Sequence, residues 1–241
     1  MFIPLKDENP TYRVPYITGL LISLNILVFL YQLFSSQGLQ LSVLKMGVIP
    51  YEITHFTTIS GIPRLAPPLT LLTSMFLHGG LFHLLSNMLF LWIFGNNIED
   101  YLGHVRFAVF YLVCGIGAAM THIVFHPGST IPMVGASGAI AGILGAYFLL
   151  YPRARVLTLI FIWIIPVPAA VILGVWFVSQ LLNVGIQGGV AWFAHIGGFL
   201  IGMIWIRTLM RRRKVAGNSR EAGGNGRDWE VVEGDHADLE T

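Results

Sequence analysis

Residues 134–151 read VGASGAIAGILGAYFLLY. One hydroxyl, Ser137, stands at the head of an apolar run of small residues. From Ser137 to Tyr151 is 15 residues, about 22 Å of helix at ~1.5 Å per residue. A bilayer's hydrocarbon core is ~30 Å thick. The run is therefore too short to cross comfortably. If Tyr151, Pro152, Arg153 and Arg155 pin its far end at one interface, its serine end stops below the opposite surface. Ser137 then lies within the membrane plane, and residues 128–135 dip towards it. Non-helical backbone at that depth needs protein or water around it, so a protein-lined cavity is expected there.

The rest of the chain supports that membrane setting. Of 241 residues, 55% are hydrophobic and 11% charged, and mean hydropathy is +0.71. A soluble domain carries roughly 25% charged residues. The charges cluster in the first 13 residues, in short connections and after Arg207, leaving long apolar stretches between them. The class expected is an all-α polytopic membrane protein. Six spans fit best: 16–34, 81–94 with its flanks, 107–125, 137–151, 168–183 and 190–210. Pro166 and Pro168 interrupt 156–191, so 156–165 is read as an apolar, interfacial lead-in to the fifth span. The domain plan is a short inner lead over 1–15, a membrane domain over 16–210 with an outer loop at 35–68, and a polar, disordered tail over 211–241.

Lys and Arg decide the orientation. With both termini inside, twelve of them fall on the inner side, and only Lys45 and Arg64 fall outside. This is a positive-inside pattern. The net charge of +2 gives no reason to expect a nucleic-acid partner. The single cysteine, Cys114, lies in a span, so an intrachain disulfide is impossible. No cleavable signal peptide is evident.

Polar residues inside spans are functional candidates. His195 lies in AWFAHIGGFLIG, a few residues from the outer end of the sixth span, at about the depth of Ser137. Ala194, Gly198 and Gly202 recur every four residues there, as do Ser137, Ala141 and Gly145 on the fourth span. Two such small-residue seams let backbones approach closely and bring a histidine to a serine. Gly135 and Gly138 add to the small-residue packing around Ser137. In HGGLFHLLSNM, His83 and Asn87 are four apart and share a helical face. Both suit donation to a developing oxyanion, as do the free N–H groups of a helix N-terminus at Ser137. His78 is placed in support of the loop above. The plainer alternatives are a packing or capping serine, a packing histidine, and interhelical hydrogen bonds from His83 and Asn87.

All twelve Asp and Glu residues are read as lying outside the spans: Asp7, Glu8, Glu52, Glu99, Asp100 and seven in the tail. No carboxylate is then available to His195, and a serine hydrolase here would use a Ser–His dyad rather than a triad. H-E-x-x-H is absent, and so are paired intramembrane acids. These absences weigh against a metalloprotease, an aspartyl protease and a proton-coupled transporter.

Together, GASGAI with Ser137, AHIGGFLIG with His195, HGGLFHLLSN with His83 and Asn87, and the third-span sequence RFAVFYLVCGIGA resemble the rhomboid intramembrane serine proteases, over most of the chain up to about Arg211. The resemblance implies a six-helix rhomboid-like bundle with a short central fourth helix. It implies Ser137 as nucleophile, His195 as general base, and oxyanion donors from the Ser137 N–H, His83 and Asn87. It implies no cofactor and no metal, and membrane-spanning protein substrates met within the lipid bilayer. Oligomeric state is left open. The compact layout suggests a prokaryotic plasma membrane. Two departures stand out. The position four after the serine is Ala141, where many relatives carry an aromatic that stacks on the histidine; Trp192 or Phe193 is expected to replace it. The Trp-Arg pair of the first outer loop is also missing from 35–68. A non-catalytic, substrate-retaining relative and a small transporter are the alternative functions.

Overall fold

The computed structural model describes residues 2–36, 38–59, 61, 63–185 and 190–224, with side chains through Arg212. The chain divides into two units, 1–206 and 207–241. In order, the elements are β1 (Phe2–Asp7), α1 (Tyr16–Phe34), α2 (Gly38–Met46), α3 (Pro50–His55), α4 (Pro67–Thr73), a 3-10 turn (Ser74–Phe76), α5 (Leu81–Leu102), α6 (His104–Phe125), α7 (Ser137–Leu150), β2 (Arg155–Ile160), β3 (Trp163–Pro168), α8 (Ala169–Leu182) and α9 (Trp192–Gly224).

Among the described residues, four helices are long and apolar enough to cross a membrane: Tyr16–Phe34, Leu81–Leu102, His104–Phe125 and Trp192–Arg212. Two shorter apolar helices, Ser137–Leu150 and Ala169–Leu182, have 14 residues each, about 21 Å. The protein is thus a mostly helical, multi-pass membrane protein, as its composition requires. Every apolar run expected to be a span is a helix.

The short helix is the centre of the bundle. Ala139 through Tyr147 are buried without a break, so α7 is covered on every face. The small residues along it let neighbouring backbones approach closely. A Cβ on Gly198 would strike the Gly138 carbonyl oxygen, one on Gly202 that of Gly142, and one on Gly145 that of Phe199. The α7 and α9 backbones therefore touch, close enough for Cα–H···O contacts of about half an ordinary hydrogen bond in strength. On the α6 side, a Cβ on Gly138 would come within 2.7 Å of the Ala118 methyl. On the α5 side, the Phe94 and Tyr147 rings meet edge to face at 5.0 Å.

Four features differ from the sequence reading. First, an antiparallel three-stranded sheet, ordered β1-β2-β3, occupies stretches assigned to the inner lead and to the lead-in before the fifth span. Its strands RVLTLI and WIIPVP are rich in β-branched and aromatic residues, and two prolines exclude a helix. A two-residue turn, Phe161–Ile162, joins β2 to β3, with Ile160 opposite Trp163 and Phe161 at φ +54°. In that register the backbone polar groups of Trp163, Ile165 and Val167 point to β2, and those of Ile164, Pro166 and Pro168 point to the open edge. Proline has no N–H, so this edge strand keeps few open donors.

Second, the outer loop 35–68, for which the sequence reading assigned no elements, holds α2, α3 and the start of α4. Third, α5 extends past Phe94 to Leu102, which puts Glu99 and Asp100 inside a helix rather than outside the spans. Glu99 is buried because it has work there. Its carboxylate accepts the N–H of Ile17 at 2.9 Å, the N–H of Thr18 at 2.7 Å and the Thr18 hydroxyl at 2.7 Å. It also contacts His104 Nδ1 at 2.6 Å. Pro15 cannot cap α1 with a side chain, and this remote acid satisfies donors the first turn would otherwise leave open. Fourth, α9 remains helical to Gly224, well past the expected start of the disordered tail at 211. The remainder of that tail, 225–241, lies outside the described residues.

Candidate active site

Ser137 is the first residue of α7, and the chain reaches it through Gly135. Gly135 has φ +127°, a conformation that favours glycine, and a Cβ there would lie 2.8 Å from both Cε1 and Nε2 of His83. Its N–H donates to the Ser74 carbonyl at 2.8 Å, which anchors the turn to the 3-10 segment. The approach itself is tied down by the outer loop. Val48 and Met133 form an antiparallel bridge, with N–H···O distances of 3.1 and 2.8 Å, and the Tyr51 N–H donates to Ser129 O at 3.0 Å. Beneath these bonds lies a buried ion pair, Arg64 to Glu52 at 3.2 Å. Arg64 also donates to Gly47 O, and Glu52 accepts the Ile59 N–H, both at 2.9 Å. The Trp-Arg pair is absent from this loop, and this ion pair helps hold it.

His195 projects from the first turn of α9. Its Nε2 is 2.8 Å from the Ser137 hydroxyl oxygen. Its Nδ1 is 2.7 Å from Oε1 of Gln180 on α8. The seam explains the approach: Gly198 sits against Gly138 and the Ala141 methyl, and Ala194, one residue before the histidine, is buried. Gly202 and Gly145 extend the same contact inward.

On α5, the His83 ring leans over Gly135 towards the serine. Its Nδ1 faces the Gly79 N–H at 3.4 Å, a long bond, which leaves Nε2 turned to the site. His78 packs edge-on against it at 5.1 Å. The His78 backbone is itself held by the Gln32 side chain, at 3.0 and 3.3 Å. Asn87, one turn deeper than His83, is buried, and its Nδ2 has no hydrogen-bond partner among the described residues. A buried amide donor left idle is uncommon. Ser137, His195, His83 and Gly135 thus converge at the ends of α5, α7 and α9, and Asn87 lies one turn along α5 from His83. Among the described residues, no three His, Cys, Asp or Glu side chains gather to hold a metal ion.

One expectation needs correcting. Phe193 does not hold the imidazole: it stacks on Phe125 at 4.2 Å and meets His126 edge-on. Trp192 lies edge-on to His195 at 6.4 Å, and Trp176 lies nearer at 5.8 Å. The direct polar contact comes from Gln180. Sequence reasoning passed over it, although an amide within VSQLLN meets the same criterion that singled out His195.

The fold and this cluster define a multi-pass membrane protein with a serine–histidine pair between its helices. A family model described as the rhomboid domain matches residues 67–212, and the chain belongs to the rhomboid family. It is 36% identical over 143 residues to RHOMBOID-like protein 1 of Arabidopsis thaliana, covering 56% of this chain and 32% of that protein. It is 42% identical over 134 residues to Rhomboid protease GluP of Bacillus subtilis, covering 55% and 24%. It is 30% identical over 149 residues to Rhomboid protein 1, mitochondrial, of Saccharomyces cerevisiae, covering 57% and 40%. The chain thus spans two-fifths or less of the length of these relatives.

Proposed function

We propose that this protein is an intramembrane serine endopeptidase that cleaves membrane-spanning proteins in or beside their membrane segment. The observation that carries the reading is the 2.8 Å contact between His195 Nε2 and the Ser137 hydroxyl. The similarity to a bacterial rhomboid protease supports it. In this reading Ser137 Oγ attacks the scissile carbonyl carbon while its proton passes to His195 Nε2. The carbonyl oxygen becomes an oxyanion, met by the Ser137 N–H, His83 Nε2 and Asn87 Nδ2. Collapse of that intermediate breaks the C–N bond, and the proton on His195 goes to the leaving amine. Water, deprotonated by His195, then hydrolyses the acyl-enzyme and releases Ser137.

A helical substrate hides its carbonyls in intrahelical bonds, so the segment must unwind to present one. Small or helix-breaking residues near the scissile bond therefore favour cleavage. We place both termini on the inner side, from the distribution of Lys and Arg. The plasma-membrane assignment rests on the compact layout and not on the relatives, which include a mitochondrial protein.

The test is cleavage of a transmembrane reporter in proteoliposomes. Ser137→Ala and His195→Ala should each abolish it, and full activity in either would sink the assignment. Labelling of Ser137 by a fluorophosphonate separates a protease from a family member that only retains substrates.

A further inference from the structure

We infer that Gln180 is the positioning residue of the pair, completing a neutral Ser137–His195–Gln180 relay in which a helix α8 amide does what a carboxylate does in a triad. This rests on the protease reading above and adds a third residue to it.

The inference follows from how the amide's two ends are used. Gln180 is buried, and its Nε2 is already engaged: it donates to the Trp176 carbonyl at 3.1 Å and to the Ser179 hydroxyl at 3.0 Å. Ser179 in turn donates to Trp176 O at 2.6 Å. These bonds orient the amide, so the end facing His195 is its carbonyl oxygen. A carbonyl only accepts. The Nδ1 atom at 2.7 Å must therefore carry the ring proton. In the neutral imidazole, Nε2 is then the unprotonated nitrogen, and it is the atom 2.8 Å from the serine hydroxyl. The bond from α8 thus selects the one tautomer able to take the serine's proton. The opposite tautomer would place N–H towards Ser137 and leave the Gln180 oxygen facing a lone pair.

When the proton leaves Ser137 Oγ for Nε2, Nδ1–H remains on the ring and Gln180 Oε1 remains its acceptor. No proton passes to the amide. Ala141 gives the ring no stacking partner on α7, while the α8 amide bonds its Nδ1 and Trp176 lies 5.8 Å from it.

Two substitutions test this, in detergent and in proteoliposomes. Gln180→Leu removes the acceptor while keeping bulk. Its kcat for the reporter and its rate of fluorophosphonate labelling at Ser137 should both fall about 10- to 100-fold, part of the ~10²–10⁴ that a general base supplies, with KM little changed. Gln180→Glu, nearly isosteric, puts a carboxylate against Nδ1 and stabilises the imidazolium. The ascending limb of its kcat/KM–pH profile should move to higher pH, with activity regained above it. The other titratable groups whose charge reaches His195 are His83 and His122, and neither is altered. A role confined to helix packing would lower thermal stability in both variants and leave the pH profile in place.

Wild-type labelling and an unshifted acid limb in both variants would overturn the inference while the protease reading stands. Should Gln180→Leu fail to fold, the profile of Gln180→Glu alone decides. A wild-type protein that neither cleaves nor labels overturns both.

Discussion

Asn87 keeps a donor in hand. Its buried Nδ2 meets no acceptor among the described residues, which costs free energy unless, as proposed, an oxyanion meets it. Removing one donor to an oxyanion typically lowers kcat by ~10²–10³. Asn87→Ala should therefore lose about that factor in kcat, leave KM nearly unchanged and not reduce thermal stability. Reporter kinetics beside a melting curve checks this; equal losses in kcat and stability would make the amide structural. At this scale most of the candidate site was legible in the sequence. Ser137, His195, His83 and Asn87 are polar residues in apolar helices, where a polar group demands a reason. Gln180 obeys the same rule and was passed over because the residues around it, unlike GASG or AHIGG, form no recognisable pattern.

At the scale of elements, the glycines of α7 and α9 set a distance. Gly198 meets the Gly138 carbonyl with no room for a side chain, so Gly198→Val must push the helices apart. Overpacking of this kind costs about 1–3 kcal/mol or more. The separation should also carry His195 away from Ser137. Gly198→Val is expected to lower the melting temperature and abolish fluorophosphonate labelling together. Unlike a change at Asn87, it should spare neither. The helices were readable because apolar runs bounded by charges have one outcome in a bilayer. The sheet was not: β1 and β2 are about 150 residues apart in sequence, and nothing local pairs them. The extent of α5 was also missed, because Glu99 looks like the end of a span until α1 supplies its three donors.

At the scale of the whole molecule, the amino-terminal strand is fastened to the central helix. Asp7 of β1 accepts the Tyr147 hydroxyl at 2.8 Å and Asn97 Nδ2 at 2.7 Å. Burial raises its carboxyl above the ordinary 3.8, and the hydrogen bonds from Tyr147 and Asn97 only partly oppose this. The folded protein then holds a proton that the unfolded chain has released, so this contribution to stability is complete below pH 3.8 and is lost as pH rises through the folded value. Asp7→Asn retains an acceptor for Tyr147 and cannot titrate. Its melting temperature relative to wild type should therefore climb as pH is raised from about 4. A constant difference across that range would show that the carboxyl is not perturbed.

The neutrality of the serine–histidine–glutamine arrangement has an electrical consequence. In the proposed reaction one elementary charge is transferred between Ser137 and His195, whose atoms are 2.8 Å apart, and the matching negative charge passes only to the adjacent carbonyl oxygen. The serine–histidine separation is about a tenth of a ~30 Å hydrocarbon core. An elementary charge carried across a full 100 mV gains ~2.3 kcal/mol, so this step gains only about 0.2 kcal/mol. Imposing a diffusion potential of ~100 mV of either sign on sealed proteoliposomes should change the cleavage rate by less than about 1.5-fold, by that same estimate. Under the proposed reaction, cleavage keeps nearly one pace whether the membrane is energised or collapsed.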